Sequence, residues 1–588
     1  MEKSLFYNLR RILIQYRAPF FRAVLMMALA NALLVANSLI FRQAVAQFDP
    51  SAASPFSYQL ANSLSLWVLA MLIVAIASAL LKYYMRIAFL YVSREEEKQI
   101  RGILFDRIQK QSMAFFDRHG VGDLLSRLTN DVSVYREVLG PGLMYPLFFV
   151  TLVVPGMMAL FWISAPLATV ALLPLFLIPV VNLLTRKRLY DMSLYVQNLL
   201  GELSNMVQEH FSSIRVIKAY ATEEPLYNKF SKKSEDLASQ QFWLMGLQGT
   251  LFPFLAFLTK LTTAVLVLMA AYANFRAWET LSTADFLTFM WIQSYIFLPV
   301  LMLGWVIPVY QRGRAAYQRL YDLFEEPIEV QDLSQKELHI KGSSSIEIKN
   351  LNFTYPTRHT PVLVDLNLSI EGGSFVGITG PVGSGKSTLF RLLMREYEVS
   401  HGMIEIGGNE IHEYPLSAFR EAIVTVEQIP FIFSRTIEEN IRFGNEKATT
   451  AEIETVLNLA DLHETVLDFP FQYQTVVGER GVTLSGGQIQ RLAMARAFLV
   501  DRSILLLDDV FSAVDSKTEQ KIFSAIKRNF IGKTVLIITH RLSVLEQMDR
   551  IVYMLDGRVV ESGSPQELNK RNGHYRAMID LHEMGIEP

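Results

Sequence analysis

The sequence predicts two kinds of structure in one chain: a membrane α-helical domain with six transmembrane helices, then an α/β domain. Three observations carry this. Hydrophobic residues make up 51% of the 588 residues, and mean hydropathy is +0.25. They gather in the first half as long runs broken by basic clusters, the pattern of a chain that crosses a bilayer. From residue 346 onward, short β-branched runs alternate with helical periodicity and Gly-rich turns, the pattern of an α/β fold.

Six segments reach the ~20 apolar residues that a bilayer core requires. They lie near 22–46, 60–82, 138–163, 166–185, 245–273 and 284–309. The links after the second and fourth are long and charged. In "REEEKQIRGILFDRIQKQ" and "TRKRLYDMSLYVQNLLGELSNMVQEH" the apolar residues keep helical spacing, so these helices should run well past the bilayer. The opposite links, "FDPSAASPFSYQLANS", "ISAP" and "NFRAWETLSTAD", are short and hold almost no Lys or Arg. The positive-inside rule then puts both termini and the long links in the cytoplasm. Residues 1–320 are thus expected to form the transmembrane domain, 321–345 a polar linker and 346–588 the α/β domain.

The opening "MEKSLFYNLRRILIQYRAPFFR" has no small-residue cleavage site after a short apolar core, so it is not read as a signal peptide. It reads as an interfacial amphipathic helix, with Arg10, Arg11 and Arg17 toward anionic headgroups. Pro308 is expected to kink the last span, in a packing rather than a gating role. The net charge of −2 gives no basic field for nucleic acid. The absence of cysteine excludes a disulfide framework and thiolate metal sites.

Chemistry concentrates in the second half. "GITGPVGSGKSTLF" holds Gly380, Gly385, Lys386 and Ser387 at the spacing G-x-x-x-x-G-K-S, after an apolar run and at a helix start. That context makes it a phosphate loop. Its backbone N–H groups, from Gly383 and Ser384 through Thr388, can wrap phosphates. Lys386 reaches the outer phosphates, and the Ser387 hydroxyl binds Mg²⁺. "ILLLDDVFSAVD" reads as a buried strand with Asp508 and Asp509 at its C-terminal end, where open α/β sheets place their chemistry. "VTLSGGQIQRLAMARAFL" opens a helix at Ser485, Gly486, Gly487 and Gln488. Such an N-terminus can bind an anion. Taken alone, it is equally a plain N-cap.

This ordered set of motifs resembles the ATP-binding cassette family over nearly the whole chain. The resemblance implies ATP and Mg²⁺ as ligands, and a role for each residue. Tyr355 in "FTYP" would stack on adenine. Gln428 in "VTVEQIPFIFS" would touch Mg²⁺ with Ser387 and Asp508. Ser485 to Gln488 would be the signature motif, Asp515 in "SAVD" a dimer contact, and His540 in "LIITHRLS" the switch histidine. The family's nucleotide domains pair head to tail, so each ATP lies between one chain's phosphate loop and the other's signature. "FFDRHGVGDLLSRLTND" (115–131) and "VIKAYATEEPLYNKF" (216–230) resemble the two cytoplasmic loop tips of the exporter branch, whose short helices dock on nucleotide domains. "TVVGERG" (475–481) resembles the loop that the branch places before the signature. One membrane domain and one nucleotide domain make a half-transporter, so a second chain is implied. No peptidase domain precedes the first span, so leader-peptide processing is not expected.

Asp509 departs from the family pattern, which has a water-polarising glutamate there. Aspartate is one methylene shorter, and misplacing water by about an ångström can cost ~10²-fold. The position reads either as a tolerated substitute or as the mark of the degenerate subunit of a heterodimeric exporter. The intact Ser485–Gln488 fits the second reading, and the retained His540 leaves room for slow hydrolysis. Lys260 falls near the middle of the fifth span, where a lysine costs ~2.5–3.5 kcal/mol on insertion scales. It is a candidate contact for an anionic substrate group, or a structural or snorkelling lysine. The function expected is ATP-driven export of hydrophobic or amphipathic compounds across a bacterial inner membrane, within a lipid bilayer and with no nucleic-acid partner. The alternatives are a homodimeric exporter or lipid flippase, and a non-transport, ATP-gated regulatory membrane protein. A soluble ATPase acting on DNA or in translation does not fit six spans.

Overall fold

The computed structural model describes residues 5–47, 58–275, 282–332, 338–340, 342–478 and 481–584. The chain forms two compact units. Unit 1 holds Met1–Asp106 and Leu125–Glu326; unit 2 holds Arg107–Leu124 and Pro327–Pro588.

Unit 1 is helical. Its long helices are Arg17–Ala46, Tyr58–Gln109, Leu143–Ile163, Leu173–Ser212, Glu223–Phe275 and Thr283–Glu325. At 1.5 Å per residue, the 52 residues of Tyr58–Gln109 span about 78 Å, far beyond a ~30 Å hydrocarbon core. The expected continuation of spanning helices past the bilayer is therefore present. Among the described residues, four helical stretches are long and apolar enough to cross a membrane: Arg17–Ala46, Leu64–Gln109, Val121–Ile163 and Thr283–Glu325; Ala256–Tyr272 is a shorter apolar stretch. The four fall on the first, second, third and sixth expected spans, and the shorter stretch lies within the fifth; among the described residues no such stretch marks the fourth. That one is divided at Leu172 between Ala165–Ala171 and Leu173–Ser212, and several of its side chains lie outside the described residues. Residues 48–57 and 276–281, the greater part of the link expected at 48–63 and half of that at 274–285, and part of the linker at 321–345 also lie outside them.

Polar side chains join apolar helices inside this unit, the usual glue where lipid offers no hydrophobic drive. Asn31 Nδ2 donates to Thr151 Oγ1 at 2.9 Å, and Ser78 Oγ donates to the Ala30 carbonyl at 2.9 Å. Arg42 pairs with Asp285. Gly156 lets Ile296 approach; a Cβ there would lie 3.1 Å from its Cδ1. Helix Thr283–Glu325 runs through both Pro299 and Pro308 without a break. It also runs past residue 320, and unit 2 takes up the chain at Pro327.

The N-terminal helix, Leu5–Gln15, forms as expected, but Arg11 does not turn to headgroups. Its guanidinium pairs with Glu96 Oε1 at 3.2 Å, and Glu96 is 1% exposed. A buried carboxylate needs a cation more than a surface arginine needs lipid. Asn8, fully buried, bonds the Tyr135 hydroxyl.

Unit 2 is α/β. Its strands are β1 (Ile346–Phe353), β2 (Leu363–Ile370), β3 (Phe375–Thr379), β4 (Ile404–Ile406), β5 (Asn409–Glu410), β6 (Ile423–Val426), β7 (Ile504–Asp508), β8 (Thr534–Ile538), β9 (Arg550–Leu555) and β10 (Arg558–Gly563). One sheet has the order β10-β9-β3-β8-β7-β6, parallel except for the β9–β10 pair. The other, β2-β1-β4-β5, is antiparallel. β3 and β8 are buried at every position, which explains their unbroken apolar runs. Residues 107–124 belong to this unit although they lie in the N-terminal half. Ala114 sits in the core of the antiparallel sheet, with Leu351, Leu389 and Tyr397.

Candidate nucleotide site

Four neighbouring parallel strands end at one edge of the large sheet, and each delivers a side chain there. β3 leads into the phosphate loop and Lys386. β8 leads to His540, β7 ends in Asp508 and Asp509, and β6 leads to Gln428. The strand register keeps these ends level, with Ile378 opposite Ile538 and Ile538 opposite Asp508. This is the carboxyl edge at which α/β sheets bind ligands. A cavity of about 510 Å³ opens there, lined by Tyr355, Gly383 through Thr388, Gln428, Asp508, Asp509 and His540 among others.

The loop geometry follows from its glycines. Gly385 has φ +96°, and a Cβ there would meet Leu363 Cδ2 at 2.5 Å, so no other residue fits this helix start. Helix Lys386–Leu393 begins next, leaving its first N–H groups and positive dipole end at the cavity. Lys386 is folded back over its own loop, with Nζ donating to the carbonyls of Gly380 at 2.6 Å and Pro381 at 2.9 Å. It is thus held beside the place where an anion would enter.

The charges are tuned by burial. Burial pushes the Asp508 carboxyl above the ordinary aspartate range, against the pull of the Ser387 hydroxyl bonded to it and of Lys386. Burial and the adjacent Asp508 charge push Asp509 up; the Gln428 amide works against this. Burial lowers Lys386, opposed by both carboxylates. Burial, then the Lys386 charge, lowers His540, which favours its neutral imidazole. Ser387, Asp508 and Gln428 offer hydroxyl, carboxylate and amide oxygens to the same cavity, a donor set that fits Mg²⁺.

Tyr355 packs edge-on against Phe353 and Tyr397, with ring centroids 5.0 and 5.2 Å apart, and its hydroxyl lies 2.9 Å from Thr388 Oγ1. Four polar cavity residues escaped the sequence reading: Asp117, Thr357, Arg358 and Arg391. Arg391 lies one helical turn beyond Ser387, which could have flagged it. Nothing local to Asp117 marks it as a cavity residue, since it lies some 280 residues from its bonding partner Tyr397.

The structure does not bring Ser485 to Gln488 or Asp515 into this cavity. Ser485 caps helix Gly486–Leu499 in a reciprocal box with Gln488: Gln488 N donates to Ser485 Oγ at 3.3 Å, and Ser485 N donates to Gln488 Oε1 at 2.8 Å. Gly487 is a close approach, where a Cβ would stand 2.6 Å from the Ala513 carbonyl oxygen. Asp515 caps helix Ser516–Asn529, accepting from Lys517 N at 3.1 Å and Thr518 N at 3.0 Å. In the loop before Ser485, Val476 bridges Thr436; Glu479 and Arg480 lie outside the described residues.

Comparison with known proteins agrees with this architecture. Residues 20–300 match the ABC transporter transmembrane region, and residues 363–512 match the family described as ABC transporter. The chain is 32% identical over 523 residues to the multidrug resistance-like ATP-binding protein MdlA of Escherichia coli (strain K12), covering 88% of each chain. It is 30% identical over 524 residues to the ATP-dependent lipid A-core flippase of Syntrophus aciditrophicus (strain SB), covering 88% of this chain and 85% of that one. A solved bacterial Atm1-family ABC exporter with ATP bound superposes with a TM-score of 0.77 at 26% identity, covering 98% of both chains. The chain is an ABC exporter.

The exporter is a multi-pass membrane protein with its membrane and ATP-binding domains fused in one chain, and it couples ATP hydrolysis to transport. Its membrane unit contains a second cavity, of about 410 Å³, where Lys260 meets Thr259, Thr263, Gln293 and Ser294 among apolar residues such as Met157 and Phe297. Gln293 Oε1 is buried without a hydrogen-bond partner among the described residues. Both expected loop tips carry short helices, Met113–Arg118 and Ile214–Tyr220. The first is fastened within unit 2: Met113 N donates to the Glu396 carbonyl at 3.0 Å, and Ser112 Oγ donates to Glu329 Oε2 at 2.7 Å.

Proposed function

We propose that this chain is the degenerate-site half of a heterodimeric exporter of hydrophobic or amphipathic compounds in a bacterial inner membrane, with both termini in the cytoplasm. Asp509 carries the reading. It stands beside Asp508, bonded to Gln428, but its carboxylate is one methylene short of the water-polarising glutamate of the family. In this reading Lys386, Tyr355 and the phosphate loop hold ATP in the slow site. Ser387, Asp508 and Gln428 hold Mg²⁺, which neutralises charge on the phosphates. Ser485 to Gln488, outside the cavity of their own chain, complete the partner's competent site, and Asp515 adds a dimer contact. The membrane domain runs through helix Thr283–Glu325, the linker follows it, and the nucleotide domain proper begins at Ile346, with residues 115–131 and 216–230 carrying the stroke.

The scarcity of Lys and Arg in the links opposite the long helices supports the orientation. The apolar cavity with a polar lining around Lys260 supports amphipathic substrates, and the relatives, a multidrug resistance-like protein and a lipid A-core flippase, point the same way. The test is purification from native membranes under a tag on this chain alone. A second half-transporter with glutamate at the position of Asp509 should co-purify in equal amount. A pure self-dimer that transports and hydrolyses ATP at full rate would replace this reading with the homodimeric one.

A further inference from the structure

The antiparallel sheet of unit 2 carries a constellation that ATP hydrolysis does not use. His401 precedes β4, Glu410 ends β5, and His412 lies in the turn Ile411–Glu413. His401 Nδ1 and His412 Nδ1 each lie 3.0 Å from Glu410 Oε1, and ligand atoms of all three residues lie within 4.8 Å of one another. Ligands of a tetrahedral ion with bonds near 2.0–2.1 Å stand about 3.3 Å apart, so little movement would admit one.

The surroundings are those of a built site. His412 Nε2 lies 2.6 Å from Glu398 Oε1, so a carboxylate fixes the far nitrogen of one ligand ring, the common outer-shell arrangement of metal-bound histidine. Gly402 N donates to Glu410 Oε1 at 2.6 Å and fixes that carboxylate. Ile411, between Glu410 and His412, is fully buried, and its carbonyl accepts from Arg395 Nη1 at 3.1 Å. The two imidazoles face each other with ring centroids 4.1 Å apart. The His412 side chain is 10% exposed and that of His401 75%, so the site is anchored on one side and open to entry on the other.

We propose that His401, His412 and Glu410 bind one late first-row divalent cation, with Glu398 as a positioning residue and water completing the coordination. Two imidazoles and a carboxylate suit Zn²⁺, Cu²⁺ or Ni²⁺ and do not suit Mg²⁺, so this site and the nucleotide site take different ions.

The experiment uses the full chain in detergent, nucleotide-free, stripped by chelator and carrying no polyhistidine tag. Zn²⁺ is titrated by calorimetry, and Co²⁺ by its visible absorption. One ion per chain is expected, with the intense absorption of tetrahedral Co²⁺. His401→Ala, on an exposed side chain, should weaken binding at least tenfold while binding of a fluorescent ATP analogue stays unchanged. Glu398→Gln should weaken it about 10–100-fold with the stoichiometry still one. Zn²⁺ should also slow hydrogen exchange at residues 398–412. No saturable binding, or binding that His401→Ala and His412→Ala leave intact, overturns the proposal and leaves a cluster of ion pairs.

Discussion

The Gln428 side-chain amide donates to Asp509 Oδ2 across 3.3 Å, and Asp509 itself holds a left-handed backbone with φ +45°. The chain after β7 therefore turns in a conformation that aspartate tolerates better than most side chains. Asp509→Glu restores the missing methylene at a modest backbone cost. Hydrolysis at this chain's own site should rise by up to ~10²-fold in the assembled transporter. Trapping of nucleotide at that site is the measurement, and an unchanged rate would remove the geometric argument.

Tyr397 donates its hydroxyl to Asp117 Oδ2 at 2.7 Å. Burial and the Asp117 carboxylate push the phenol far above its ordinary range, so it remains a donor at any physiological pH. Tyr397→Phe keeps the ring in the core and removes this bond, worth ~1 kcal/mol net. Basal ATPase should persist while stimulation by substrate falls. Full stimulation in the variant would show that the bond plays no part in coupling.

At the other loop tip, Tyr220 is 77% exposed. Tyr220→Ala should therefore leave folding within ±0.5 kcal/mol, the usual range for surface changes. Transport into vesicles should drop several-fold with ATP affinity unchanged. Wild-type transport would mean that 216–230 does not carry the stroke.

Lys260→Met removes the charge from the membrane cavity. Insertion should become easier, so yield should hold or rise. Export of anionic amphiphiles should fall relative to neutral ones. Equal export of both would leave the lysine a structural role only.

The two parts of the nucleotide machinery should be unequal. Ser485→Asn keeps an N-cap but removes the hydroxyl, which in the partner's site would meet the γ-phosphate as charge develops. Losing such a donor costs ~10²–10³-fold elsewhere. Lys386→Ala should mainly weaken ATP holding at the slow site. Steady-state ATPase of the pair, with each change in this chain alone, decides. Abolition by Lys386→Ala with survival of Ser485→Asn would invert the assignment. Gly487→Asp is the poorer probe, because its Cβ would strike the Ala513 carbonyl.

Local pattern made much of this readable. The buried run Ile504–Leu507, the glycine spacing from Gly380 to Gly385 and the alternation of strands and helices each encode their own backbone, and they predicted the sheet edge and the residues on it. What escaped depends on partners far apart in the chain. Glu96 takes Arg11 from the headgroups, and Tyr397 takes Asp117 into the nucleotide unit. No periodicity records either pairing. The backbone of Asp509 escaped as well, because side-chain length was the only property weighed there. His401, Glu410 and His412 went unread because their spacing matches no common ligand pattern; the β4–β5 turn brings them together.

Residues 107–124 have a further consequence for how the molecule is made. They leave the ribosome early, yet the strands that receive them come from the other end of the chain. At ~5–20 residues per second, roughly 15–60 s separate the two. During that interval Ala114 and Phe115, both buried in the finished structure, have no core to enter. The first loop tip is thus a waiting segment whose sequestration comes late in biogenesis. A truncated nucleotide domain begun at Pro327 would keep the complementary vacancy for good: Glu396 and Tyr397 would lack the segment that they hold.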